Sequence, residues 1–169
     1  IYLVHGLSLL GAKCWQEDYQ LSLGLYNAAS EVAYCTSNFE SVNMLVEEIL
    51  AHAKCFEDTL RGRATKVHWL GSSGKVNKAA ATGLEILEKL GETFPKTLTM
   101  PDVDVALKRL QKKLKGKSDE SLLRLPYMTD PKKLAAMQML NLTYLYAFLG
   151  DQELALLLGF RMVSLSLDH

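Results

Sequence analysis

Proline is absent from both flanks of this 169-residue chain, since all four prolines fall between positions 95 and 131. Nothing in the flanks therefore forbids long helices. Aromatic residues make up only 8% of the chain, which with 49% hydrophobic and 22% charged content fits one ordinary soluble domain or a short array of helices. There is no excess of either charge, because nineteen Lys and Arg balance nineteen Asp and Glu. No global field draws the chain to a polyanion or an anionic membrane. Long apolar runs are missing too: residues 1–4 and 154–158 fall far short of the roughly 20 residues that cross a bilayer. No charged segment precedes a cleavable apolar stretch, so the expectation is a soluble, cytoplasmic chain. The three cysteines, Cys14, Cys35 and Cys55, are odd in number and read as reduced thiols of a reducing compartment. The chain opens at Ile1 without a methionine and closes on a helical pattern with no stop signal, as a piece of a longer protein would.

What is present is apolar periodicity of three to four residues. In 17–36 the stripe Leu21, Leu25, Ala28, Val32 and Cys35 predicts one helix with that face inward. Trp15 is expected to anchor the loop that leads into it. A polar turn, Ser37-Asn38, leads to a second helix with Phe39, Val42, Val46, Ile49 and Ala53 on its inner face. So short a connection predicts an antiparallel pair. The pattern returns thirty-seven positions on: Val76, Ala79, Gly83, Ile86 and Leu90 match the second stripe, and Gly74 matches Ser37. The matching first helix, 57–70, turns Leu60, Val67 and Leu70 inward, with Gly62 costing about 1 kcal/mol relative to alanine. A third pair, 132–149 and 151–168, hinges at Gly150-Asp151. The chain thus reads as a single all-α helical-repeat domain over 1–169. Its pairs lie at about 17–54, 56–90 and 132–168, and a connector with one helix spans 91–131.

In the connector, Pro101 starts a helix over 101–115 with Asp102 and Asp104 in its first turn and Val103, Leu107, Leu110 and Leu114 on one face. The basic run Lys108, Arg109, Lys112, Lys113, Lys115 and Lys117 reads either as a patch for phosphate or an acidic partner or as a solvated outer face, the second favoured because no aromatics are interleaved. Thr129 or Asp130 is placed to cap the next helix, with Pro131 at its first position.

Catalytic patterns fail one by one. Gly71-Ser72-Ser73-Gly74-Lys75 lacks the spacing of a phosphate-binding loop and links two helices, so it reads as a tight turn. His5, His52, His68 and His169 show no pairing at ligand spacing, and no cofactor or metal is implied. Cys14-Trp15 lacks the residues that precede a thiol-protease nucleophile. Adjacent carboxylates such as Glu47-Glu48 diverge on a helix and form no acid/base pair.

The helix pairs, the small-residue second helix opening after Gly or Ser, and a period near the about 34 residues of that repeat resemble tetratricopeptide arrays. In that register Tyr26, Ala29 and Ala33 take first-helix packing positions. The implied fold is a degenerate right-handed solenoid of stacked antiparallel pairs. Gly6-Leu7-Ser8-Leu9-Leu10-Gly11, Cys14-Trp15, the stretch 25–34, Glu47-Glu48-Ile49-Leu50, residues 83–87, Leu90-Gly91, Phe94-Pro95 and 128–131 resemble the helical region of large signalling ATPases. In that family the region follows an AAA- or STAND-type ATPase module, often with a serine/threonine kinase domain before the ATPase and often with a GAF sensor and histidine kinase, or another output domain, after. The resemblance implies a noncatalytic interaction and regulatory module that holds a peptide, a protein or a neighbouring ATPase or kinase domain. Tyr26, Ser30, Tyr34, Arg63 and Lys66 are the candidate groove residues. The competing expectation is a small-molecule sensor with an apolar pocket near Trp15, Trp69 and Tyr127.

Overall fold

A computed structural model describes residues 2–95 and 97–169, with only the backbone described at Val4. The described residues form ten α-helices and no strand. They divide into two compact units at the Ser73/Gly74 turn. That boundary falls inside the pair expected over 56–90, so its two helices belong to different units.

The first unit holds α1 (Tyr2–Leu9), α2 (Cys14–Glu17), α3 (Tyr19–Cys35), α4 (Phe39–His52) and α5 (Phe56–Ser72). Helix α3 begins two residues later than its apolar pattern suggests because Asp18 caps it, accepting from Leu21 N at 3.3 Å. Trp15 lies in the short α2 and not in a loop. At the other end of α3, Ser37 takes the left-handed conformation (φ 57°), and Asn38 N donates to Ala33 O at 2.8 Å. Asn38 then caps α4, accepting from Ser41 N at 3.3 Å. Gly74, the counterpart of Ser37 in the repeat, also has positive φ (78°).

Val42, Val46 and Ile49 of α4 are wholly buried. At about 1.5–3 kcal/mol each they anchor the unit. The face expected for α3 is wrong: Leu21 is 50% exposed, Val32 48% exposed, and Cys35 is also exposed. Helix α3 touches α1, α2, α4 and α5, and the residues it buries are mostly small: Ser22, Asn27, Ala29, Ser30 and Ala33. Small side chains let neighbouring helices approach, and larger ones are displaced to the margins. Ala29 and Ala33 are buried.

The second unit holds α6 (Val76–Lys89), α7 (Met100–Leu114), α8 (Asp119–Leu123), α9 (Pro131–Gly150) and α10 (Gln152–Asp168). The 91–131 segment thus carries two helices and not one, the extra one capped by Ser118, which accepts from Ser121 N at 3.2 Å. Asp130 caps α9 through Lys132 N and Lys133 N with Pro131 in its first turn, and Asp151 caps α10 through Leu154 N at 3.0 Å. Helix α9 packs against α6 and α10, and α7 packs against α10. The expected α6 stripe is borne out, since Ala79, Gly83, Ile86 and Leu90 are buried and Val76 is half-buried. Two glycines permit the α6/α9 contact: a Cβ at Gly83 would overlap Thr143, and one at Gly150 would overlap Asn77. These pairings run in opposite directions along the two helices, so α6 and α9 are antiparallel.

Candidate functional site

Four of the five candidate groove residues are engaged at the surface of the first unit, and one is not at the surface. Tyr26 is half-buried and stacks on Trp15 with ring centroids 5.0 Å apart. Burial, and then the Glu48 charge, push its hydroxyl pKa up. Tyr34 shares a 2.9 Å hydrogen bond between its hydroxyl and Ser72 Oγ, and its ring lies 5.6 Å from that of His68. Arg63 donates from Nε to Thr59 Oγ1 at 2.9 Å and lies over the Phe56 ring. Lys66 pairs with Glu47 Oε1 at 2.6 Å. Ser30 is wholly buried and donates to the Asn27 carbonyl at 2.8 Å. It is removed from the groove set, because the small-residue face of α3 packs inward.

Trp15 is the node of an aromatic cluster. Its Nε1 donates to Glu48 Oε1 at 3.2 Å, and its ring lies parallel to that of His52 at 4.8 Å. His52 Nδ1 approaches the same Glu48 oxygen at 3.3 Å. Trp69 packs against the core of Ala29, Ala33, Val42, Leu45 and Val46. Tyr127, by contrast, is 95% exposed. Of the three rings expected near a sensor pocket, Trp15 and Trp69 are used in packing within the first unit, and Tyr127 belongs to the second.

Beside this core runs an apolar groove of about 580 Å³ between α1, α3 and α4. Leu3 and Leu7 form one wall, Ala29, Ala33 and Leu45 its floor, and Val32 and Met44 its lip. Met44 is 65% exposed. The expected stripe of α3 thus misplaced Val32 in the core, whereas the structure puts it at the edge of a groove. No protein-family model, no curated protein and no solved structure matches this chain.

The α4–α5 corner carries a polar knot. Tyr19 donates to Asp58 Oδ2 at 2.5 Å and accepts from Lys54 N at 2.9 Å. Burial and the Asp58 bond raise the tyrosine pKa, and the same bond lowers that of Asp58. At neighbouring Cys55 a backbone hydrogen bond pulls the thiol pKa down, but desolvation and the Asp58 and Glu57 carboxylates outweigh it, and the net shift is upward. Ser73 Oγ donates back to the Trp69 and Leu70 carbonyls, so the 71–75 run closes a helix end.

In the second unit, sequence reasoning missed Glu92. It is 3% exposed, yet pairs with Lys133 Nζ at 3.0 Å and Arg161 Nε at 2.5 Å. Burial alone would raise its pKa, but the two cations more than offset this and hold it below the ordinary range. The sequence signal lies in the turn. Gly91 has φ 89°, Gly91 N donates to Glu88 O, and Glu92 N donates to Leu87 O at 2.9 Å. Glu92 thus occupies the position after the left-handed glycine, where an apolar contact is usual. A carboxylate there calls for cations from elsewhere in the chain. The basic run of α7 is exposed throughout, with Lys113 tied to Asp168 Oδ2 at 2.5 Å and to Ser164 Oγ at 2.7 Å.

Proposed function

We propose that this chain is a noncatalytic helical interaction and regulatory module, of the degenerate tetratricopeptide-like solenoid kind, serving a larger signalling ATPase or kinase in the cytoplasm. Its partners are a protein, a peptide or a neighbouring domain, and it needs no cofactor. The observation that carries the reading is the groove of the first unit, in which small buried residues of α3 form a floor while Val32 and the flexible Met44 stay open at the lip. Such a groove suits the apolar face of an amphipathic helix, whose residues at i, i+3, i+4 and i+7 fill it. Methionine adapts to the shape of the incoming side chains. Regulation follows if the docked segment binds one conformation of the parent more tightly than another, shifting its equilibrium by that difference.

The test is selection of helical peptides from a displayed library on the 169-residue chain, followed by affinity measurement on the wild type and on Val32→Glu/Met44→Glu. Both positions are solvent-accessible, so the variant keeps its fold. Enriched peptides should share the helical apolar spacing and lose at least about tenfold in affinity for the variant. Peptides without that spacing, or equal affinity for both proteins, would overturn the reading.

A further inference from the structure

We infer that the second unit contains a separate binding cleft for a small carboxylate carried on an apolar body. The cleft, of about 370 Å³, lies between the 93–95 segment, α7 and α10. Phe94, Leu110, Leu157 and Phe160 give it an apolar lining. Two arginines complete the lining, Arg109 from α7 and Arg161 from α10.

The electrostatics favour an anion. Glu92, the carboxylate that holds Arg161 through its Nε, is shared with Lys133, so two cations face one buried acid. That node carries one positive charge in excess. Arg109 adds another: among the described residues it has no hydrogen bond and no ion pair. The acid in the cleft wall, Asp102, is committed to the start of α7, its Oδ2 accepting from Thr99 N at 3.0 Å and Thr99 Oγ1 at 2.6 Å. Asp168, which also bears on Arg161, is taken by Lys113 at 2.5 Å. The Thr99 donors are neutral and leave Asp102 its charge, so of the two positive charges in excess one remains uncompensated, and the fork of Arg109 is open.

A carboxylate matches the fork geometry of arginine, and the apolar lining gives the body of the ligand a surface to cover. The volume sets the size. It lies at the low end of about 300–1,000 Å³ for ligand sites, and equals about twelve water volumes of ~30 Å³ each. An aryl or medium-chain monocarboxylic acid fits.

Calorimetry on the full chain with phenylbutyrate, phenylbutanol and acetate tests this. Phenylbutyrate should saturate one site, and the alcohol and acetate should each bind at least about tenfold more weakly. Arg109→Gln, at an exposed position, should reduce phenylbutyrate affinity about tenfold while leaving phenylbutanol unchanged. Ala106→Trp, which fills the α7 wall of the cleft, should abolish binding. Arg161 is left intact because its loss would strand Glu92. No saturation, equal affinity for acid and alcohol, or an Arg109→Gln protein that binds phenylbutyrate as tightly as wild type would overturn the inference. So would amide shift changes lying outside the 93–95 segment, α7 and α10.

Discussion

Gly83 of α6 lies directly against Thr143 of α9: a Cβ at position 83 would overlap Thr143 Oγ1 and stand 2.9 Å from its Cγ2 and 3.0 Å from its Cβ. Thr143 is wholly buried and its hydroxyl donates to the Met139 carbonyl at 2.7 Å. No rotation of the threonine clears all three atoms, so the helices must separate. Gly83→Ala should therefore destabilise the chain by about 1–2 kcal/mol net, the overpacking cost outweighing the gain in helix propensity. Adding Thr143→Ala removes two of the three contacts and should recover about half of that loss. Urea denaturation of the two single variants and the double variant measures this coupling. Purely additive effects would show that the contact carries no strain.

Gly62 of α5 should behave in the opposite way. A Cβ there meets Ile49 Cδ1 at 3.1 Å, and that atom is the end of a flexible side chain. A shift of a few tenths of an ångström relieves it. Gly62→Ala should stabilise the first unit by up to about 1 kcal/mol, since alanine loses less backbone entropy in a helix. A lower midpoint in urea for this variant would contradict that account of the α4/α5 contact.

Glu92 should set the acid limb of stability in the second unit. Its pKa is depressed in the folded protein, so its stabilisation is present above the ordinary glutamate value of 4.5 and lost as pH falls through the depressed one. Glu92→Gln leaves Lys133 and Arg161 without the carboxylate that joins them. Because both are partly exposed, the cost at neutral pH should be about 2–3 kcal/mol, below that of a fully buried pair. The difference between wild type and variant should shrink on titration to about pH 3. Chemical denaturation across that range reads it, and a pH-independent difference would refute the ionic account.

Local chemistry made the helices legible before any coordinates. Asp130 and Pro131, Asp151 after Gly150, and the turns at Ser37, Gly74 and Gly91 act within a few residues of themselves, and each helix end they mark lies close to its expected place. The α4 and α6 stripes were readable because Val42, Val46 and Ile49, like Ile86 and Leu90, sit on helices with one dominant apolar face. Helix α3 lacks that property. Its neighbours surround it, so its Ser, Asn and Ala side chains are buried and Leu21 and Val32 are not. Periodicity counts apolar residues and has no means of preferring a small one.

Helix identity, helix ends and the alternation of inner and outer faces on α4 and α6 follow from the sequence alone, because propensity, capping and a 3.6-residue period are short-range effects. Tertiary structure alone decided that α5 belongs with α3 and α4 while α6 belongs with α9. It also decided that Ser30 is buried, and that Glu92 finds Lys133 and Arg161 some forty and seventy positions away. Those outcomes depend on which surfaces approach closely enough to exclude water. Close packing between distant segments chooses among faces that are locally equivalent.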